Sequence, residues 1–148
     1  MNEADSRILG QVSCESHWSN LILDRVERAT QIALLIRRWK PDLVVVDHLQ
    51  LLAGSEKVEE LSRATRALKL TAERFQVPIL CLSQLSRAVR EDHNKPPRIS
   101  RLRGSGTIEN DSDTVVFVWR KRDENEQLTA EAAVIVAKVR MGKLGYLR

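Results

Sequence analysis

Three places in the chain carry polar or charged side chains at the end of an apolar run. The run 43–46 is followed directly by Asp47, and the run 77–82 is followed by Ser83 and Gln84. In parallel α/β sheets, ligands bind at the carboxyl ends of the strands. An acidic residue there is suited to holding Mg²⁺ through water, and a glutamine can orient a water molecule or sense a terminal phosphate. The alternatives are that Asp47 only caps the next element and that Gln84 is a surface amide.

The third place lies near the end of the chain, where Lys138 closes the run 132–137 and Arg140 follows two positions later. Side chains two positions apart lie on the same face if the strand continues. The two cations can then bind phosphate oxygens together. The alternative is a pair of solvated surface charges, which are common at strand ends.

A basic segment at 91–107, EDHNKPPRISRLRGSGT, contains prolines and glycines and almost no apolar residues. This composition predicts a long loop. Cationic side chains beside glycine-exposed backbone amides can bind a nucleic-acid backbone without reading its sequence, although a solvated basic loop fits the composition equally well. The residues concerned are Lys95, Arg98, Arg101, Arg103, Gly104 and Gly106.

Apolar periodicity divides the chain into short strands and amphipathic helices. Strand, helix and strand in alternation predict right-handed βαβ units and a mostly parallel sheet, with the last two strands forming a hairpin at one edge. The predicted strands cover 8–14, 43–47, 77–83, 113–120 and 132–138, and the predicted helices cover 21–39 and 56–75.

The composition fits one α/β domain of an intracellular protein. The chain has 148 residues, of which 43% are hydrophobic, and no apolar stretch is long enough to span a membrane. Its net charge of +4 permits nucleic-acid binding without indicating it. Cys14 and Cys81 lie in no CxxC pattern, which argues against a disulfide scaffold or a zinc site. The polar N-terminus lacks the features of a secretory signal and favours the cytoplasm.

Four strings of the sequence occur together in a characteristic order. They are DLVVVDHLQLL at 42–52, VPILCLSQLSR at 77–87, RLRGSGTIENDSDTVVFVWR at 101–120 and AAVIVAKVRMGKLG at 132–145. In this order they closely resemble the C-terminal motor domain of bacterial and phage replicative DNA helicases of the DnaB type. The resemblance covers about residues 20–148. It implies a RecA-like, three-layer α/β/α P-loop NTPase core that assembles into a ring, commonly a hexamer, around single-stranded DNA and moves along it with ATP.

The resemblance also implies roles for individual residues. Asp47 matches the acid that helps hold Mg²⁺, and Gln84 matches the glutamine that couples the nucleotide site to the DNA-binding loops. Lys138 and Arg140 match a pair that reaches across a subunit boundary to the neighbour's phosphates. The loop that contacts the DNA backbone is matched by Arg103, Gly104 and Gly106.

Three positions depart from the family pattern. His48, Gly104 and Met141 stand where family members usually have tyrosine, glutamate and asparagine. Gly104 puts the detailed DNA contacts of this loop in question, but not the fold. His48 lies beside Asp47, and the sequence identifies no partner with which it would perform acid–base chemistry.

The phosphate-binding loop of such a motor is not found in this sequence. None of the six glycines falls in the pattern G-x-x-x-x-G-K-[ST], and we match no residue to the family's upstream catalytic glutamate. Because that loop supplies most of the positioning and neutralisation of the phosphates, we expect the chain alone to bind ATP weakly and hydrolyse it hardly at all. Residues 1–148 are therefore predicted to form a partial domain, truncated at its N-terminal side, with a sheet edge or apolar face left uncovered.

The leading hypothesis is part of an ATP-dependent replicative DNA helicase motor, with ATP and Mg²⁺ as cofactors. Its expected partners are single-stranded DNA and either a ring of identical subunits or a full-length helicase. Whether the chain is itself an enzyme stays open at this point. The main alternative is a non-enzymatic remnant or regulator that binds a helicase ring or single-stranded DNA. A RecA-like ATPase of recombination fits less well, because the strings at 83–87 and 103–113 resemble helicases.

Overall fold

The computed structural model describes residues 20–54, 57–85, 95–99, 105–123, 125 and 127–147. The predicted strand at 8–14 lies outside these residues. The helices are α1 (Ala29–Trp39), α2 (Leu49–Ala53), α3 (Val58–Phe75) and α4 (Ser105–Asp111), and the strands are β1 (Val44–Val46), β2 (Ile79–Cys81), β3 (Thr114–Arg122), β4 (Leu128–Val139) and β5 (Gly145–Leu147).

Strands β1 and β2 lie side by side and run parallel, as predicted. Val44 pairs with Ile79 and Val46 pairs with Cys81, and α2 and α3 connect the two strands. Parallel neighbours need such a crossover because their ends lie at opposite edges of the sheet. The arrangement brings the carboxyl ends of β1 and β2 to the same edge.

Helices α1 and α3 cover one face of this sheet. Ile32 and Ile36 of α1 and Leu61 and Leu68 of α3 are buried, and they form one core with Val46 of β1. The two residues lie four positions apart on α1 and seven positions apart on α3, which places each pair on one face of its helix. The amphipathic pattern read from the sequence is therefore the pattern that builds this core.

Helix α1 begins at Ala29, and the prediction that it starts at residue 21 is wrong. The side-chain Oε1 of Gln31 accepts hydrogen bonds from the backbone N–H groups of Glu27 and Arg28, at 2.8 and 2.9 Å. This cap ends the helix on its N-terminal side. Val26 still packs against the core from non-helical backbone. Apolar spacing alone therefore did not mark the helix start.

The opposite face of the β1–β2 sheet is exposed. Val45 and Leu80 pair with each other across the sheet, and their side chains are 57% and 54% exposed. The unbroken apolar run 43–46 predicts a strand buried on both faces. In the described part of the chain β1 is buried on one face only, because the helices there pack against the other side.

Strands β3, β4 and β5 form an antiparallel sheet. Thr114 pairs with Val139 and Arg122 pairs with Leu128, which confirms that β3 and β4 form a hairpin. The prediction that this hairpin lies at one edge of the parallel sheet is wrong for the described residues, because β3 and β4 pair with β5 in a sheet separate from β1 and β2. Strand β5 adds to the free side of β4 and was not predicted, because Gly145–Leu147 is too short to show a pattern. Ile108 of α4 contacts both this sheet's core and the helix core, so α4 connects the two sheets. No helix in the described ranges is long and apolar enough to cross a membrane.

Candidate functional site

Asp47 and Gln84 meet at the carboxyl edge of the β1–β2 sheet, as their positions in the sequence predict. Asp47 follows β1 directly, and its side chain is 74% exposed. His48 lies between the two residues. Its Nδ1 is 3.7 Å from Oδ1 of Asp47, and its Nε2 is 3.2 Å from the side-chain nitrogen of Gln84. The Gln84 amide donates to the ring when this nitrogen carries no proton.

Gln50 reaches the same edge from the first turn of α2. Its Nε2 donates a hydrogen bond to Oγ of Ser83 at 3.1 Å. It also contacts the backbone of Gln84 through both ends of its amide, at 3.3 and 3.4 Å. Neither Gln50 nor a partner for His48 was predicted from the sequence. The available signal was their position, since both follow Asp47 within three residues and begin a helix at the strand end.

The exposed carboxylate of Asp47 suits Mg²⁺ held through water. Mg²⁺ commonly keeps several water ligands and takes one or two carboxylates together with substrate phosphates. A single exposed acid fits that mode, and it does not fit a site made only of protein ligands. The described ranges contain no group of three or more His, Cys, Asp or Glu residues that could hold a metal ion.

Lys138 and Arg140 contact the C-terminal part of α4. Nζ of Lys138 donates to the backbone oxygens of Glu109 and Ser112, the latter at 2.8 Å. Arg140 donates to the backbone oxygen of Asn110 at 3.2 Å. Cations are favourable at a helix C-terminus because its last carbonyl groups lack partners within the helix. Strand β4 ends at Val139, before Arg140, but both side chains contact the same end of α4. Their described contacts do not include Asp47.

Asp113, just before β3, links Arg140 to helix α3. Its carboxylate lies 3.0 Å from Arg140 and 2.7 Å from Nζ of Lys69. The hydrogen bond from Lys69 is the main cause that lowers the pKa of Asp113, and the same bond raises the pKa of Lys69. Lys69 and Asp113 are far apart in sequence, so only the fold reveals this cluster.

A model of the DnaB-like helicase C-terminal domain matches residues 2–148. The chain belongs to this family. It is also 37% identical to the replicative DNA helicase DnaB of Geobacillus stearothermophilus, in an alignment over 132 residues that covers 80% of this chain and 28% of that protein. The DnaB-like chain therefore spans less than a third of this curated relative.

Two solved structures support the same assignment. A DnaB-like replicative helicase, solved to show its interactions with primase, superposes with a TM-score of 0.72 at 33% identity, covering 85% of this chain and 33% of that one. A second structure, which is an ATPase domain, superposes with a TM-score of 0.71 at 33% identity, covering 82% of this chain and 47% of that one. The predicted α/β fold class of a RecA-like helicase motor is confirmed.

The predicted DNA-contacting residues of the DnaB-like chain lie only partly within the described structure. Arg98 is exposed, whereas Arg101, Arg103 and Gly104 lie outside the described residues. Gly106 is exposed on helix α4. The prediction that the loop extends to residue 107 is therefore wrong at its end, because α4 starts at Ser105. Glycines suggested a loop, but the packing of Ile108 against both cores favours the helix.

Cys81 of the DnaB-like chain is a poor nucleophile. Burial raises the pKa of its thiol to about 11. The side chain lies on the face of β2 that packs against the helix core. A buried thiol that keeps its proton is a small apolar group, so its role here is packing.

Proposed function

We propose that this chain is part of an ATP-dependent replicative helicase motor that moves on single-stranded DNA. The observation that carries the proposal is the contact chain from Asp47 through His48 to Gln84 at one edge of the sheet. It joins an acid suited to Mg²⁺ with a glutamine suited to sensing phosphate. The proposal also treats residues 1–148 as one partial domain of this motor. That domain would assemble in a hexameric ring or with a full-length helicase, and it would act in the cytoplasm.

In this motor Asp47 would hold Mg²⁺ through water, and the ion would neutralise phosphate charge while ATP is bound. Asp47 suits this task because its carboxylate is largely exposed and lies 3.7 Å from Nδ1 of His48, beyond hydrogen-bonding distance. Gln84 would then respond to the phosphates and pass the change to the segment that follows it. Arg98, Arg101, Arg103, Gly104 and Gly106 remain the proposed DNA contacts.

Lys138 and Arg140 are proposed to act on the phosphates of a neighbouring subunit. Their present contacts with backbone oxygens of α4 would have to be exchanged for contacts with phosphate. A phosphate oxygen carries more negative charge than a carbonyl oxygen and forms stronger bonds with these cations. For these backbone contacts the exchange is favourable when a neighbour presents a nucleotide, whereas the ion pair of Arg140 with the Asp113 carboxylate would also have to open.

The chain alone is expected to hydrolyse ATP hardly at all, because the phosphate-binding loop is not found in it. The test is to supply that loop by joining the chain to the preceding half of a DnaB-type ATPase domain. DNA-stimulated hydrolysis should appear and should fall at least 100-fold in Asp47→Ala, about the scale on which removing one electrostatic contact slows a reaction at its transition state. Asp42→Ala is the matched control, since Asp42 lies before β1. A complete, folded motor without DNA-stimulated hydrolysis would refute the proposal.

A second candidate function is a regulator that binds a helicase ring without hydrolysing ATP. The exposed apolar face that includes Val45 and Leu80 favours it, because such faces commonly bind other chains. Co-precipitation of the 148-residue chain with the cognate full-length helicase separates the two candidates. A regulator must bind the assembled ring, whereas a part of the motor need not.

A further inference from the structure

We propose that Gln50 is a positioning residue that holds Gln84 against the end of β1. The inference rests on the proposed motor function, in which Gln84 couples the nucleotide to DNA. It adds a residue to which the sequence patterns assign no role. The proposal starts from one side chain that makes three contacts across the carboxyl edge of the sheet.

Backbone pairing between the two strands ends shortly before Gln84. The N–H of Leu82 donates to the oxygen of Val46, and the N–H of Leu49 donates to the oxygen of Leu82, both at 2.9 Å. Leu49 is also the first residue of α2. From Leu49 onward the segment that follows β1 is helical, so it no longer presents extended backbone to the residues after Leu82.

The side chain of Gln50 takes over this pairing. Its Oε1 accepts from the backbone N–H of Gln84 at 3.3 Å, and its Nε2 approaches the backbone oxygen of Gln84 at 3.4 Å. A side-chain amide has the same donor and acceptor as a peptide group, so it can pair with a strand as another strand would. The bond from Nε2 to Oγ of Ser83, at 3.1 Å, is the shortest of the three.

His48 holds the other end of the same residue. Its ring nitrogen lies 3.2 Å from the side-chain nitrogen of Gln84. Gln50 thus binds the backbone of Gln84, and His48 binds its side chain. Both holding residues lie within three positions of Asp47. A shift of the chain at Asp47 would therefore be transmitted to Gln84 through these two side chains, which is what coupling between the proposed nucleotide site and the segment after β2 requires.

Amide hydrogen exchange of the 148-residue chain, followed by NMR, tests the proposal. In Gln50→Ala, exchange at the N–H of Gln84 should become about five- to tenfold faster, the effect of losing one neutral hydrogen bond. The N–H groups of Leu49 and Leu82 should keep their rates, because their backbone bonds remain. The side-chain amide resonances of Gln84 should also shift. General destabilisation would not confine these changes to Gln84.

Two further variants make the test specific. Gln50→Glu keeps an acceptor for the Gln84 N–H but removes the donor to Ser83, so protection at Gln84 should largely return. Gln31→Ala is the matched control, because Gln31 also binds two backbone N–H groups, at the start of α1. It should leave Gln84 unchanged. Unaltered exchange at Gln84 in Gln50→Ala, or an equal rise at Leu49 and Leu82, would overturn the proposal.

An oligothymidylate titration separates this proposal from the proposed function. If the motor function holds, single-stranded DNA shifts the Gln84 resonances of the unaltered chain, and Gln50→Ala reduces that shift. If DNA leaves the Gln84 resonances unmoved, coupling of Gln84 to DNA is refuted. If exchange at Gln84 is still faster in Gln50→Ala, Gln50 nevertheless positions Gln84. The exchange experiment alone decides the role of Gln50.

Discussion

Lys69 and Asp113 form a two-oxygen contact between helix α3 and the start of β3, with Nζ 2.8 and 2.7 Å from the two carboxylate oxygens. The Lys69 side chain is only 14% exposed, whereas that of Asp113 is 57% exposed. Because packing already restricts the Lys69 side chain, less side-chain conformational entropy is lost when the ion pair forms. The contact joins the element beneath the parallel sheet to the antiparallel sheet.

Neutralising this pair should lower stability in a pH-dependent way. Asp113→Asn should cost about 1 kcal/mol at pH 7, since solvent screens the exposed carboxylate. Because folding lowers the pKa of Asp113, its contribution is present above its ordinary pKa of 3.8 and is lost as the pH falls through the lowered value. Urea unfolding at neutral and acidic pH measures this, with Asp42→Asn as the control. A cost that persists at acidic pH would contradict the ion-pair explanation.

Truncation of the helix core should be far more costly than truncation at the surface. Leu61 of α3 is fully buried, so Leu61→Ala should lower the free energy of unfolding by about 3 kcal/mol, through reduced apolar packing and the cavity left behind. Leu34→Ala on the exposed side of α1 should change it by about 0.5 kcal/mol or less. Urea denaturation compares the two variants, and equal losses would contradict the assigned core.

Removing the cation at the end of α4 should loosen that helix. Lys138→Met loses the bonds to two backbone oxygens and should cost about 1 kcal/mol. Exchange at the N–H of Ser112, which donates to the oxygen of Ile108, should rise. Lys121→Met is the control, because the described contact of the Lys121 ammonium is with a side-chain carboxylate, that of Glu131. An unchanged exchange rate at the N–H of Ser112 would show that the contacts of Lys138 do not stabilise α4.

The exposed face of the β1–β2 sheet should promote association. Leu80→Gln should weaken concentration-dependent self-association of the chain, since it removes a large apolar side chain from that face. Sedimentation velocity over a range of concentrations measures the effect. Leu51→Gln is a suitable control, because Leu51 is similarly exposed on α2. An equal loss of self-association in both variants would indicate non-specific hydrophobic association.

Charge removal in the basic segment should weaken DNA binding and its salt dependence together. Replacing Arg98, Arg101 and Arg103 by glutamine should lower the slope of log affinity against log salt by about 0.7 for each phosphate that the protein no longer neutralises. Fluorescence anisotropy with oligothymidylate at several salt concentrations measures this slope. Arg63→Gln on α3 is the control, as its guanidinium binds Glu60. An unchanged slope would remove these arginines from the DNA interface.

Local patterns in the sequence predicted α1, α3 and the strands β1 to β4 in their order, but not α2, α4 or β5. The spacing of Ile32, Ile36, Leu61 and Leu68 defined the buried helix faces, and the strand ends at Asp47 and Gln84 indicated where the site lies. Such patterns are readable because burial and backbone geometry repeat along the chain. They failed where a side chain acts on the backbone, as Gln31 does at the start of α1.

Only the tertiary structure decided which side chains meet across the sheet edge. Many residues separate Gln50 from Gln84, and Lys69 from Asp113. Local periodicity therefore cannot predict either pair. Their contacts exist because parallel pairing aligns the ends of β1 and β2, and because α4 brings β3 against α3. A hydrogen bond depends on distances of a few tenths of an ångström. The sequence by itself determined the family and indicated where the candidate site lies, whereas packing decided the partners within it.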